Sequence, residues 1–313
     1  MSNLEASPQV TPCESAGSHG AVAEFFVARE VPLGGVRGIK VNRALPQRSL
    51  PTVGAWCFLD KFGPHNDGML VLPHPHIGLQ TVTWPLAGEV RHRDSIGNDV
   101  VLRPGQLNLM TSGRGVSHSE VSAPGTVLSG LQLWVALPAE ATGMAPDFEH
   151  HPKLPVFRSP GVEATVFMGT LGDATSPATT HTPLVGAQLS VAGGTIPLRP
   201  DFEYALLLLD GSVQVADVEL TPGPLLYLGT GRESLTFAGT AEAILLGGEP
   251  FADDLVMWWN FVGRSHDEIA AARADWEGAD PQRFGVVAGH GPDRIPAPGL
   301  PNLRLKPRPR RPS

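Results

Sequence analysis

The chain has 313 residues, 36 of them glycine and 31 proline, with 42% apolar and only 17% charged positions, a composition that favours a turn-rich β protein of two domains over disorder. A formal net charge of −8 argues against direct nucleic-acid binding, and two cysteines, Cys13 and Cys57, are too few for a disulfide framework. No apolar run reaches membrane-spanning length and no basic start precedes an apolar core, so the expected compartment is the cytoplasm.

Residues 1–23 are rich in Ser, Pro and Gly without periodicity and read as a disordered extension. The ordered chain begins at Glu24. A strand is expected over Gly38 to Arg43, and Val53 to Phe62 carries the apolar Trp56, Phe58 and Phe62 with Cys57 as a packing residue. His65 falls in the loop before Gly68, where it could reach the mouth of the site that follows but is expected to face solvent.

That site is marked by two pairs of identical spacing, His74-Pro75-His76 and His118-Ser119-Glu120. Side chains at i and i+2 of an extended segment share a face, so each pair can present two ligand atoms in one direction. Between them, Thr81 to Trp84, Val90 to Asp94, Val100 to Leu102 and Leu107 to Met110 read as short strands separated by Gly88, Gly97 and Pro104-Gly105 turns. Antiparallel pairing of such strands can set the second pair opposite the first, giving a site of three histidines and a carboxylate inside a small barrel. This donor set without thiolate suits Fe(II), Mn(II), Ni(II), Cu(II) or Zn(II). His92 lies where it could face the same interior, and Val82, Trp84, Leu107, Leu109, Leu131 and Leu133 are candidates for the apolar wall or for core.

The stretch resembles the cupin superfamily and, within it, the pirin family. Gly68, His74 and His76 match the first cupin motif, with Gln80 where a carboxylate is usual. Gly113, Gly115 and His118 match the second, and Glu120 supplies the acid two residues later, as in pirins; Arg29 to Gly34 and Leu131 to Val135 extend the similarity. The resemblance implies an all-β fold of two tandem cupin-type jelly-roll barrels. It implies one divalent metal ion per chain, Fe(II), held by His74, His76, His118 and Glu120.

The second half echoes the first. Glu203 to Gly211 parallels Gln80 to Gly88, and Pro222-Gly223 followed by Gly229 to Arg232 parallels Pro104-Gly105 followed by Thr111 to Arg114. Run outward, that register puts Pro197 and Arg199 at the places of His74 and His76, and Thr236 and Ala238 at those of His118 and Glu120, so the second barrel has no ligands. The expected divisions are 24–140 for the metal-binding barrel, 141–290 for the second barrel and 291–313 for a Pro/Arg-rich tail, with His150-His151 in a polar linker. Ser265 and Glu268 form a capping box for a helix from about His266 to Gly278, and similar segments in pirins cover the first barrel.

Two functions follow from the resemblance. One is oxygenase activity of the quercetin 2,3-dioxygenase type, with a flavonol-type molecule and O2 as substrates and Glu120 accepting the substrate's hydroxyl proton. The other is a non-catalytic regulator whose iron redox state alters contact with a protein partner.

Overall fold

The alternation of apolar and polar residues between glycine and proline turns produces strands almost throughout. The computed structural model describes residues 11–13, 20–33, 39–279 and 281–307. The first strands are β1 (Thr11–Cys13), β2 (Ala21–Phe26), β3 (Arg29–Leu33), β4 (Ile39–Leu45), β5 (Trp56–His65), β6 (Met69–His76) and β7 (Leu79–Ala87). They are followed by β8 (Val90–Asp94), β9 (Asp99–Leu102), β10 (Leu107–Thr111), β11 (Val116–Ser122), β12 (Leu128–Ala136) and β13 (Asp147–His151). The second half contains β14 (Val156–Ser159), β15 (Val162–Leu171), β16 (Ala174–Thr175), β17 (Leu184–Pro197), β18 (Glu203–Val215), β19 (Val218–Leu220), β20 (Leu225–Gly229) and β21 (Ser234–Gly248). Last come β22 (Leu255–Trp258), β23 (Phe261–Gly263), α1 (His266–Glu277) and α2 (Pro281–Phe284).

A seven-stranded sheet in the order β13-β10-β7-β12-β5-β4-β3 and a four-stranded sheet in the order β6-β11-β8-β9 enclose the first barrel. In the second barrel the strands run on from one side to the other, and one sheet follows the path β14-β15-β17-β21-β18-β20-β2, with β16 and β19 attached. The long strands β17, β18 and β21 each do the work of two strands of the first barrel. The C-terminal halves of β17 and β18 and the N-terminal half of β21 correspond to β6, β8 and β11.

The sheets do not divide the chain at the expected linear boundaries. β2 pairs with β20 of the second barrel, whereas β13, read as linker, pairs with β10 of the first. Part of the expected disordered extension is also ordered. β1 pairs with β22, and β2 begins at Ala21 because its backbone completes the open edge of β20. The rest of residues 1–23, and the end of the Pro/Arg-rich tail, lie outside the described residues.

Period-two alternation sorts the apolar residues into separate layers. Val82, Trp84, Leu107, Leu109, Leu131 and Leu133 point out of the first barrel and pack against Ala205, Leu207, Leu225, Tyr227, Ile244 and Leu246 of the second. They form the seam between barrels and not the wall of the expected site. Polar groups pin that seam: the Trp56 indole donates to the carbonyls of Val185 (3.1 Å) and Gly247 (3.2 Å), and Glu203 accepts from Gly54 N and the Tyr227 hydroxyl, both at 2.6 Å. Cys57 is buried there, and burial pushes its thiol up to about 12, consistent with a packing role.

The C-terminal segment returns to the first barrel, as the resemblance implies. Ser265 caps α1 by accepting from Glu268 N, and the buried face of the helix, Ile269, Ala272 and Trp276, joins Ile77, Trp258 and Phe261 in one cluster. Beyond the helix, the chain lies along the outer face of β6 and β11. Ser117 Oγ donates to Phe284 O (2.9 Å), His290 Nε2 meets Ser119 Oγ (2.8 Å) and Ile295 N donates to Pro73 O (2.9 Å).

Candidate metal centre

β6 and β11 are antiparallel neighbours, with His118 opposite His74 and Val116 opposite His76. The turn that leads into β11 depends on Gly113, whose φ of 48° is left-handed and whose Cβ, were there one, would lie 2.2 Å from Met144 O. Between His118 and Glu120 the register shifts, because β6 carries an extra residue around Leu72-Pro73. The bulge leaves the Leu72 carbonyl available to the His74 side chain and turns the imidazole inward.

His74, His76 and His118 are fully buried, and one ring nitrogen from each lies within 4.8 Å of the others. Glu120 is also fully buried, opposite His92 of β8, and its Oε1 accepts from Thr83 Oγ1 at 3.1 Å. The structure thus brings the three expected histidines into one cluster, whereas Glu120, two residues beyond His118 on the same strand, lies outside that group of ligand atoms. His65 ends β5 and is not in the cluster either.

Hydrogen bonds orient the rings. His74 Nδ1 donates to Leu72 O (2.8 Å) and His76 Nδ1 donates to Asn260 O (3.1 Å), so each ring carries a proton on Nδ1 and turns its Nε2 edge away from those carbonyls. Asp94 Oδ2 is 3.0 Å from His92 Nε2, and a carboxylate can only accept, so His92 carries its proton there. His118 Nδ1 lies 3.3 Å from His92 Nδ1. His76 Nε2 and His118 Nε2 lie 3.2 Å apart. Nitrogens bound to one ion at about 2.0–2.1 Å stand roughly 3.0–3.4 Å apart, so the spacing suits a metal.

Electrostatics keep these imidazoles neutral. Burial, reinforced by the neighbouring His76, holds His74 well below its ordinary value, and burial is the largest cause of the drop of His76 to about 3. His118 is lowered by burial and then by His74, His76 and His92. Burial pushes the Asp94 carboxyl up, but hydrogen bonds from His92 and Asn98 outweigh it and hold the group below the usual carboxylate range.

The opposite wall is polar in its lower part and aromatic above. Register places Thr83, Gln132, Asn108, Asp60 and His150 in one row across the large sheet, with Thr81, Trp134, Met110, Phe58 and Phe148 in the next. Thr83 Oγ1 also lies 3.1 Å from Gln132 Oε1, and His150 Nδ1 lies 2.8 Å from Asn108 Oδ1. Trp134 stacks on Phe58 at 4.0 Å and presents an edge to His76 at 5.4 Å. The Asn260 side-chain amide, on the residue whose carbonyl holds His76, is buried with no hydrogen-bond partner among the described residues.

Residues 38–135 match the pirin family, and residues 189–284 match the pirin C-terminal cupin domain. A Pseudomonas aeruginosa protein that carries the provisional name quercetin 2,3-dioxygenase is 44% identical over 293 residues, 90% of this chain and 92% of that one. The chain belongs to the pirin family. Another relative, a pirin-like protein of Caulobacter vibrioides, is 35% identical over 80% of this pirin and 92% of its own length. The crystal structure of a quercetin 2,3-dioxygenase from Acinetobacter baumannii superposes on this pirin with a TM-score of 0.85 at 42% identity, covering 90% of this chain and 97% of that one.

His92 faces the barrel interior beside His118, as expected, whereas Asp94 was not singled out in the sequence. Their signal was a third i, i+2 polar pair in a strand, on the same four-stranded sheet as the other two pairs. His150 was missed because its partner, Asn108, is 42 residues away.

Proposed function

We propose that this pirin binds one Fe(II) through His74, His76, His118 and Glu120, and that it is a cytoplasmic dioxygenase acting on a flavonol-type substrate with O2. The observation that carries the reading is the buried cluster of three histidines whose ring nitrogens lie within 4.8 Å of one another, with His76 Nε2 and His118 Nε2 3.2 Å apart. Similarity over nine-tenths of the chain to proteins named quercetin 2,3-dioxygenase supports the choice of reaction. The ligands are imidazole and carboxylate with no thiolate beside them, a set that serves iron.

When bound, the ion supplies Lewis acidity and one-electron chemistry to a hydroxylated aromatic ring and O2. The remaining contributions belong to the chain. Glu120 takes the proton of the substrate hydroxyl, and Thr83 Oγ1, donating to Glu120 Oε1, orients the carboxylate for that transfer. Trp134, Phe58 and Phe148 give a flat ring an apolar surface and help keep water from the reacting atoms.

The experiment is anaerobic purification with metal analysis, followed by oxygen uptake by the Fe(II) form with quercetin, beside the His74→Ala/His118→Ala double variant. Uptake that tracks iron content and vanishes in the double variant is the expected result. Full iron loading without uptake would overturn the flavonol reaction, and absence of bound metal from every preparation would overturn the site.

A further inference from the structure

We infer that Asp94 and His92 are positioning residues that fix the tautomer of His118 and so aim its Nε2 at the metal. The inference rests on the reading that His74, His76 and His118 bind an ion, and it goes beyond the four ligands to the groups that orient one of them.

The three imidazoles are held in different ways. His74 and His76 are fixed through Nδ1 by main-chain carbonyls, those of Leu72 and Asn260, which persist whatever side chains surround them. The described Nδ1 partner of His118 is another side chain, His92, at 3.3 Å. An imidazole accepts or donates at that atom according to its own tautomer, so His92 orients His118 correctly only if its own proton sits on Nε2.

Asp94 imposes that condition. Its Oδ2 lies 3.0 Å from His92 Nε2 and accepts from Asn98 Nδ2 at 2.9 Å, while Oδ1 accepts from Ile96 N (3.1 Å) and Asn98 N (2.9 Å). The β8–β9 turn therefore holds the carboxylate in place, and its oxygens have no proton to give. The His92 ring is fixed from its face by Phe148, stacked at 4.5 Å. A chain of assignments then runs from the turn to the site: Asp94 accepts, His92 donates at Nε2 and accepts at Nδ1, and His118 donates at Nδ1 and offers Nε2. Partners of this kind behind a ligand typically govern metal affinity by about 10–100-fold.

The test uses Zn(II), which is diamagnetic, in chelator competition with the full chain, His92→Phe and Asp94→Asn, together with long-range 1H–15N spectra of the histidine rings. His92→Phe keeps an aromatic ring against Phe148 and removes the acceptor. Asp94→Asn is nearly isosteric but can donate to His92 Nε2, which would move the His92 proton to Nδ1, against His118 Nδ1. Both variants should bind Zn(II) about 10–100-fold more weakly with unchanged far-UV circular dichroism. The wild-type spectrum should show His118 protonated at Nδ1 and His92 at Nε2.

Unchanged affinity in both variants, or the reverse ring assignments in the wild type, would overturn the inference. If a variant does not fold, the wild-type ring spectrum decides. If the wild-type chain takes up no Zn(II), the metal reading fails, and ring spectra of the metal-free chain still support or refute the order Asp94, His92, His118.

Discussion

The two barrels share a strand plan and differ in what fills them. Where the first barrel sets Thr83 against Gln132 and Asn108, the second sets Leu206 against Leu245 and Leu226. Where the first has His118 opposite both His74 and Asp94, the second has the buried Phe237 opposite Gly194 and Val215. One interior holds polar groups that bond to one another, and the other holds an apolar core from Phe157 to Leu245. The strand plan is therefore compatible with either content. Stability in the second barrel comes from burying leucine and valine, whereas the first interior carries buried polar groups whose favourable energy depends on every partner being present.

The contrast can be broken from either side. The largest effect is expected in the first barrel: replacing His74 and His118 by alanine should abolish metal binding, read by metal analysis after dialysis. In the second barrel, Leu206→Asn should lower unfolding free energy by about 3–5 kcal/mol in denaturant titration, because an amide would sit unpaired in an apolar core.

Acid should weaken the first barrel selectively. His76 is held at about 3 when folded, below its ordinary 6.5, so between those values the unfolded chain binds a proton that the folded chain refuses. Stability of the metal-free protein should then fall as pH drops below about 6.5, by about 1.4 kcal/mol per pH unit for this histidine, and His76→Phe should flatten the slope. The smallest effect is Thr83→Val. It should cost about 1–2 kcal/mol, because Glu120 Oε1 loses a buried donor, while the matched change Leu206→Val in the second barrel should act only through lost packing.

Much of this was legible in the sequence, for physical reasons that also explain the rest. The i, i+2 pairs were readable because strand periodicity is local, and Val90 to Asp94 appears as the strand expected. The second-barrel register was not. It was expected to place Pro197 and Arg199 at His74 and His76, and Thr236 and Ala238 at His118 and Glu120. Burial and pairing instead put Gly194 and Ile196, and Phe237 and Gly239, at those positions. The error arose because β17 and β21 run without a turn where the first barrel breaks into separate strands, so nothing in the sequence marks the change of sheet. The conclusion that no ligands remain there is unaffected.

Parity was the other hidden variable. Val82 and Thr83 are equally plausible as wall residues until it is known which face of β7 meets the other barrel. The large apolar residues went to the seam because that is where a second sheet offers an apolar partner.

The exchange of β2 and β13 between barrels makes the molecule stitched and not beaded. Cutting the chain between the halves, at about residue 140, would take β13 from β10 in one piece and β2 from β20 in the other. Each fragment would then carry a bare strand edge able to recruit another chain, so the unit that evolution can duplicate, swap or lose here is the pair of barrels together.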